Sequence, residues 1–274
     1  MRRHLFSLVT LLLLGGMGQA DIITVTQATA AFVPQEITID LGDTVRWVHT
    51  AGNHTVTEGT DGWLPNGSEA FHSSLTSGFP TFEVTFDEAF LAAHPRAGNR
   101  YDYGCIPHFF FGMVGSVTVA PGSSYCSGDG SGTACPCGNL GGAGEGCAND
   151  TGSGGLFSAS GSASVSADDL VLTVTNLTPG PGLFFQGDNA INSGNGNPFG
   201  DGLRCAGGNV VRLEVRVANS ANKFTTDTTI SIATKGGVSA GQTKRYQYWY
   251  RDTGNSPCSS LSNLSNGYEI TFLP

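Results

Sequence analysis

Histidine is scarce and unevenly placed. The chain has 6, and none lies beyond His108, so the C-terminal half has no imidazole to activate a serine nucleophile. Positive charge is also short, with Lys and Arg totalling 13 against 22 Asp and Glu for a net charge of −9. Most of that acidic excess falls between Asp21 and Ala120, a surface that repels a phosphate backbone and excludes nucleic acid as a partner. A basic protein would instead be steered toward it. Cysteine is absent from the N-terminal half except for Cys105. After the opening stretch, no apolar run approaches the roughly 20 residues of a membrane-spanning helix.

The opening stretch has the layout of an export signal: Arg2 and Arg3, the apolar segment Leu5 to Leu14, then the small-residue site Gly18-Gln19-Ala20. Residues 1–20 are expected to be a signal peptide cleaved near Ala20, leaving a protein that is secreted, periplasmic or at the cell surface. In such an oxidising compartment, 7 cysteines leave one over after pairing. Cys126, Cys135, Cys137, Cys147, Cys205 and Cys258 are expected to form disulfides, with the pairing left open. Cys105 then needs a different chemistry, either as a reactive or as a metal-bound thiol.

Short stretches rich in β-branched and aromatic residues follow one another: Ile22 to Thr26, Glu36 to Leu41, Thr44 to His49, His54 to Thr57, Thr81 to Phe86, Arg100 to Gly104 and Gly115 to Ala120. Gly42-Asp43 is a turn signal between two of them. Asp87 to His94 reads as a brief helical turn, and Gly59 to Gly78 as a surface loop. The fold class is all-β, a Greek-key β-sandwich over residues 21–120. Small residues at 121–124 read as a linker. Residues 125–274 then form a second, β-sandwich-like domain, with strands expected at Ala159 to Val165, Asp169 to Thr175, Gly182 to Gln186, Asn209 to Val217, Thr226 to Ala233, Thr243 to Tyr250 and Gly267 to Phe272. Its Gly-rich stretch Cys126 to Asn149 is too poor in apolar residues to hold a core and must be stapled by disulfides.

The chemistry concentrates in Cys105-Ile106-Pro107-His108-Phe109-Phe110-Phe111-Gly112-Met113, a C-x2-H-x4-M spacing between two strands. His54 heads a strand that a sandwich would bring close to Cys105. A thiolate, two imidazoles and a thioether form the donor set of a mononuclear copper site that cycles between Cu(I) and Cu(II). Taken singly, each residue has a plainer explanation: His54 as a surface residue, Met113 as core filling and Cys105 as a buried small hydrophobe. The joint spacing and the odd cysteine favour the metal. Cys105 is flanked by Gly104 and Ile106 rather than by histidines, which excludes coupling to further coppers, and a binuclear centre would need a second cysteine nearby. His72 and His94 read as solvated loop residues.

The run of motifs Phe32-x-Pro34-x-Glu36-Ile37-Thr38-Ile39, Gly42-Asp43-Thr44-Val45-x-Trp47, Asn53-His54-Thr55-Val56 and Cys105-x-Pro107-His108 with Gly112-Met113-x-Gly115 resembles the plastocyanin and pseudoazurin branch of the cupredoxins. The resemblance covers roughly 100 residues. It implies one type 1 copper held by His54, Cys105, His108 and Met113, and one-electron transfer to a redox protein partner rather than catalysis. His49 and Asn53 depart from the pattern behind the ligands, and His49 is expected to hydrogen-bond near the thiolate. Phe109, Phe110 and Phe111 are expected either to form an apolar rim where electrons leave beside His108 or to pack into the end of the sandwich.

Residues 125–274 resemble an uncharacterised cysteine-containing module of exported bacterial proteins through Gly130-Ser131-Gly132-Thr133-Ala134-Cys135-Pro136-Cys137-Gly138, Gly200-Asp201-Gly202-Leu203-Arg204-Cys205 and Tyr246-Gln247-Tyr248-Trp249-Tyr250-Arg251-Asp252. The resemblance assigns no activity. Asp129 and Asp201 sit in Gly-rich turns that could hold calcium, although turn chemistry accounts for both. Tyr246, Tyr248, Trp249 and Tyr250 suggest a carbohydrate or partner platform, but on a strand the three tyrosines share one face and Trp249 takes the other. An alternative to electron transfer is therefore a surface interaction protein whose second domain contacts glycan, the cell envelope or a protein, with copper structural or stored.

Overall fold

A computed structural model describes residues 20–59, 67–217, 222–226 and 229–274; the expected signal peptide, apart from Ala20, lies outside the described residues. In the N-terminal half the strands are β1 (Ile22–Ala28), β2 (Ala31–Val33), β3 (Glu36–Ile39), β4 (Thr44–Val48), β5 (His54–Glu58), β6 (His72–Leu75), β7 (Thr81–Thr85), β8 (Arg100–Gly104) and β9 (Val114–Val119), with the short helix α1 (Glu88–Ala93) between β7 and β8. They build two sheets, ordered β2-β1-β4-β7 and β3-β9-β8-β5-β6.

Alternation decides which side chains meet between the sheets. Val45 and Trp47 of β4 point inward, while Thr44, Arg46 and Val48 are only partly buried. Trp47 packs edge-on to Tyr103 of β8 at 5.3 Å and beside Phe71 at 5.4 Å. Offset and edge-to-face aromatic contacts of this kind add specificity to the area they bury. Helix α1 starts where Asp87 accepts a hydrogen bond from the Phe90 amide at 2.8 Å, an N-cap that agrees with the expected turn from Asp87 to His94. Below it, the guanidinium of Arg96 forks onto buried Glu58 at 2.8 and 3.0 Å and fastens the end of β5. Burial alone would raise the Glu58 carboxyl, but the Arg96 and Ala70 hydrogen bonds outweigh it and hold it below its ordinary 4.5.

The segment Gly59 to Gly78, expected as a loop, contains a strand. Residues 60–66 lie outside the described residues, but Phe71 and Leu75 are buried and β6 pairs with β5 from His54↔Leu75 to Thr57↔His72. Two serines and a histidine gave β6 little strand signal, and burial of Leu75 in the core fixes it there. His72 is accordingly a strand residue whose Nδ1 lies 2.9 Å from Thr57 Oγ1.

The C-terminal strands are β10 (Ser123–Tyr125), β11 (Leu156–Ser160), β12 (Val171–Thr175), β13 (Pro181–Gly187), β14 (Asn189–Ala190), β15 (Asn197–Phe199), β16 (Gly202–Arg204), β17 (Ala206–Gly207), β18 (Val211–Val217), β19 (Phe224–Thr225), β20 (Thr243–Arg251), β21 (Ser262–Leu264) and β22 (Gly267–Thr271), with helix α2 (Ile232–Gly236). The sheet β10-β22-β20-β13-β18, with β21 added to β20, packs on β11-β12-β19. Phe157, Leu172, Val174, Phe184, Tyr246, Tyr248 and Ile270 fill the space between.

Three differences from the sequence reading have local causes. Ser123 and Ser124, expected in the linker, start β10 and pair with Glu269 and Tyr268. The strand expected from Thr226 to Ala233 ends instead in α2, where Ser231 caps by accepting from the Thr234 amide and Gly237 closes the helix at a left-handed φ of 60°. The strand expected at Ala159 to Val165 lies earlier, because Gly161 turns the chain at φ 89°.

The Gly-rich segment is stapled as expected, by Cys126–Cys205, Cys135–Cys147 and Cys137–Cys258. Cys135, Cys147 and Cys205 form a small buried cluster with Leu203. Asp201 is fully buried and accepts from the Ser256 hydroxyl and from the Cys258 and Ser260 amides, both at 3.1 Å. Asp129 takes the Ser131 and Gly144 amides at 3.0 Å, and its carboxyl is lowered to about 2 chiefly by the Ser131 hydroxyl. Both carboxylates are thus occupied by hydrogen-bond donors of the protein itself, those of Asp201 coming from the segment 256–260. The two halves touch: the Gly98 amide donates to Asp169 Oδ2 at 3.1 Å, and the Tyr268 hydroxyl donates to the Gly122 carbonyl at 2.7 Å.

Two stability predictions follow from these contacts. A Cβ on Gly115 would lie 2.5 Å from the buried Tyr103 ring, so Gly115→Ala should lower stability by about 1–3 kcal/mol, read as a shifted urea midpoint. Since Glu58 is held below 4.5 in the native state, its stabilisation is present above that pH and is lost as pH falls through the depressed native value. Arg96→Gln should therefore flatten the decline in thermal stability below about pH 4.5 as well as lowering stability at pH 7.

Candidate metal centre

The site forms where β5 begins and β8 ends. Thr57 pairs with Gly104 and Glu58 with Tyr103, so the start of β5 runs past the residues that follow β8. Cys105 leaves the strand and the chain winds into a tight turn from Ile106 to Phe111, with Pro107 near its start. Gly112, at φ 82°, ends the turn in the left-handed conformation that glycine adopts without strain. The loop then closes on itself. The His108 amide donates to the Cys105 carbonyl at 3.0 Å, the Met113 amide to the His108 carbonyl at 3.2 Å, and the Cys105 amide to the Met113 carbonyl at 3.0 Å.

These bonds bring three donor side chains together. Cys105 Sγ lies 3.5 Å from His54 Nδ1 and 3.4 Å from His108 Nδ1, and the three ligand atoms all fall within 4.8 Å of one another. Cys105 and Met113 are fully buried, and His54 is 5% exposed. Met113 is placed by backbone bonds to both Cys105 and His108 and packs in the same core cluster as Cys105.

Thr55, which the sequence reading passed over, joins the two loops. Its amide points at Cys105 Sγ at 3.4 Å, and its hydroxyl oxygen accepts from the Ile106 amide at 2.9 Å and from the Thr57 hydroxyl at 3.1 Å. The only signal in the sequence was a small polar residue directly after a ligand histidine. His49 does not take that role: its Nε2 lies 2.8 Å from the Gly52 carbonyl, so it braces the approach to His54 instead of contacting the sulfur. A Cβ on Gly52 would come within 2.8 Å of His54 Nε2, so this residue must be glycine for the imidazole to sit where it does. Asn53 is exposed.

Of the three phenylalanines, Phe110 and Phe111 stand out at 75% and 80% exposure, with the Phe111 ring 6.4 Å from that of His108. Phe109 alone turns back, covering Gly104, where a Cβ would meet its ring at 2.7 Å. The triplet thus divides: Phe110 and Phe111 are exposed apolar residues, and Phe109 folds back over Gly104. Among the aromatic residues of β20, Tyr246, Tyr248 and Tyr250 are core residues and Trp249 faces the other side of the sheet, which removes the tyrosines as a binding platform.

Electrostatics favour a bound cation. Burial lowers the His54 imidazole, and His108 and His49 lower it further against a hydrogen bond to the Ala51 backbone, so His54 is held neutral with a free lone pair. Burial raises the Cys105 thiol, partly offset by the Thr55 amide. A metal ion would displace the thiol proton, and the amide would then serve the thiolate. One sulfur and two imidazole nitrogens, with no carboxylate in the group, form a soft donor set that fits copper and disfavours calcium or magnesium.

The same stretch of chain is similar in sequence to known copper proteins. Residues 20–120 match the family described as copper binding proteins, plastocyanin/azurin family. A halocyanin from Natronomonas pharaonis is 36% identical over 109 residues, covering 37% of this chain and 58% of that protein. A plastocyanin from Scenedesmus fuscus is 33% identical over 93 residues, covering 32% of this chain and 85% of that protein. Among solved structures, the pseudoazurin of Methylobacterium extorquens AM1 aligns at 26% identity with a TM-score of 0.26, covering 36% of this chain and 74% of that one. The chain belongs to the plastocyanin/azurin family through its N-terminal half, a cupredoxin domain whose cofactor is copper. It spans little more than half the length of the halocyanin.

Thr55→Val keeps the amide at the sulfur but removes the hydroxyl that the Ile106 amide needs. It should weaken Cu(II) binding about tenfold while leaving the fold intact, measured by competition with a chelator of known affinity.

Proposed function

We propose that this chain is an exported one-electron carrier, in which His54 Nδ1, Cys105 Sγ and His108 Nδ1 would hold one type 1 copper strongly and the Met113 thioether would add a weaker fourth bond. The observation that carries the reading is the convergence of the two imidazoles and one thiol within 4.8 Å at one end of the sandwich. When bound, copper supplies a one-electron couple. The protein's part is to fix donors that suit both oxidation states, so that little rearrangement accompanies the electron. The backbone closure of the Cys105–Met113 loop and the Thr55 bridge support such a preset geometry.

His108 offers the route out. It is only partly buried, and Phe110 and Phe111 give its neighbourhood an apolar surface from which a docking partner would displace water at little cost. The acidic excess of residues 21–120 favours a basic redox protein. We assign residues 1–20 as a cleaved signal peptide, 21–120 as the carrier, 121–124 as the junction and 125–274 as a module that accompanies it outside the cytoplasm. The disulfides of that module suit an oxidising compartment. Among the described residues no helix is long and apolar enough to cross a membrane.

Voltammetry of the copper-loaded protein should give a reversible one-electron wave. Phe111→Asp should leave that potential nearly unchanged and slow electron self-exchange about tenfold, because two like charges would meet across the encounter face. An irreversible wave would contradict the carrier reading. Unchanged self-exchange would move the exit away from His108.

A further inference from the structure

The outer face of the larger C-terminal sheet carries an apolar cavity that the copper site does not use. In β13, Phe184 points into the core and strand alternation sets Leu183 with Phe185 on the opposite face, while the register shift against β18 pairs Leu183 with Val215 and Phe185 with Arg212. Trp249 lies beside Leu183 from β20, and Leu264 lies beside Trp249 from β21. With Ala206 these four make a second apolar cluster, separate from the core between the sheets. Above it is a cavity of about 430 Å³, bordered by Phe199 from the β15–β16 hairpin and by Val215 of edge strand β18, which are 48% and 68% exposed. A volume of this order, apolar floor and few polar groups are the usual features of a small-molecule site.

The polar groups at its border all have one sign. Arg204 and Arg212 line the cavity, and no aspartate or glutamate does. Three other cations of this half have carboxylate partners, Arg216 with Glu214, Lys244 with Asp188 at 2.7 Å and Arg245 with Glu269 at 2.7 Å, and Arg251 lies over the Trp249 ring at 5.2 Å. Arg204 has only a long bond to the Ala206 carbonyl at 3.4 Å, and Arg212 has no carboxylate partner among the described residues. Two unneutralised guanidiniums beside apolar surface, in a chain of net charge −9, are a local reversal of the protein's electrostatics. Their planar forks match a carboxylate, while the floor matches hydrocarbon. A sugar would instead call for acceptors as well as donors around the aromatic rings, and this border offers guanidinium donors.

We propose that this cavity binds a small amphipathic carboxylate, its acyl or aryl body on Leu183, Phe185, Trp249 and Leu264 and its head on Arg204 and Arg212. The site is independent of the copper reading, and either can fail without the other.

The test is calorimetric titration of the full secreted protein with sodium decanoate, decanol and decyltrimethylammonium, each kept below its aggregation threshold. Decanoate should bind at least about tenfold more tightly than decanol, and the cation most weakly, since a charge-assisted pair is worth roughly a factor of ten. Arg204→Gln with Arg212→Gln should abolish the preference for decanoate over decanol, with an unchanged near-ultraviolet circular dichroism spectrum as the check on folding. Equal binding of decanoate and decanol by the wild type would overturn the proposal, reducing the face to bare apolar surface. Absence of decanoate binding would overturn it too, as would binding only to vesicles containing anionic lipid, which would make this a membrane-contact face. The wild-type comparison decides the matter even if the double variant does not fold.

Discussion

The register of β5 against β8 is the constraint on which the rest of the site depends. Pairing Thr57 with Gly104 brings the head of one strand past the tail of the other, so His54 and Cys105, far apart in sequence, end as neighbours. A slip of one residue would turn His54 to the opposite face of the sheet, since side chains alternate with a period of two. The register is held from both ends. Glu58 is clamped by Arg96 at the far end, and Thr55 bridges to Cys105 and Ile106 at the near end. Between them Val56 is fully buried in a core of Trp47, Phe71 and Tyr103.

The two halves reach stability by different means. The first packs large aromatic side chains between two sheets and keeps its one cysteine free for chemistry. The second opens with a stretch in which glycines allow close backbone approach, as at Gly128 against Cys147, and disulfides replace the missing apolar core. Apart from β10, the strands of its own sandwich all follow this stretch. The junction between β9 and β10 is only three residues long and packs tightly: Gly122 lies so close to the Glu269 carbonyl that a side chain would not fit, and β10 adds directly to β22.

What the sequence revealed depended on whether a feature was local. The spacing from Cys105 to Met113 is a single loop, so three of the proposed ligands could be read from one stretch of chain, and His54 followed from the strand it heads. The strands with strict alternation, such as β4 and β8, were equally legible. Thr55 was not, because its importance lies in a contact with Ile106 that only the β5–β8 register creates. β6 was hidden because its polar sequence is held in the sheet by Leu75 and by pairing with β5. Disulfide pairing was hidden for the same kind of reason, since Cys137 and Cys258 are 121 residues apart in sequence. The cavity on the outer sheet face arises from a bulge and a hairpin that no periodicity announces.

The account stands most directly on the Cys105 sulfur as a metal ligand. An absorption and electron paramagnetic resonance spectrum of the Cu(II)-loaded protein, taken beside Cys105→Ser, tests it. The account predicts an intense thiolate-to-copper band in the red and a narrow copper hyperfine splitting, both lost in the variant. A weak copper signal that is the same in both proteins would contradict it.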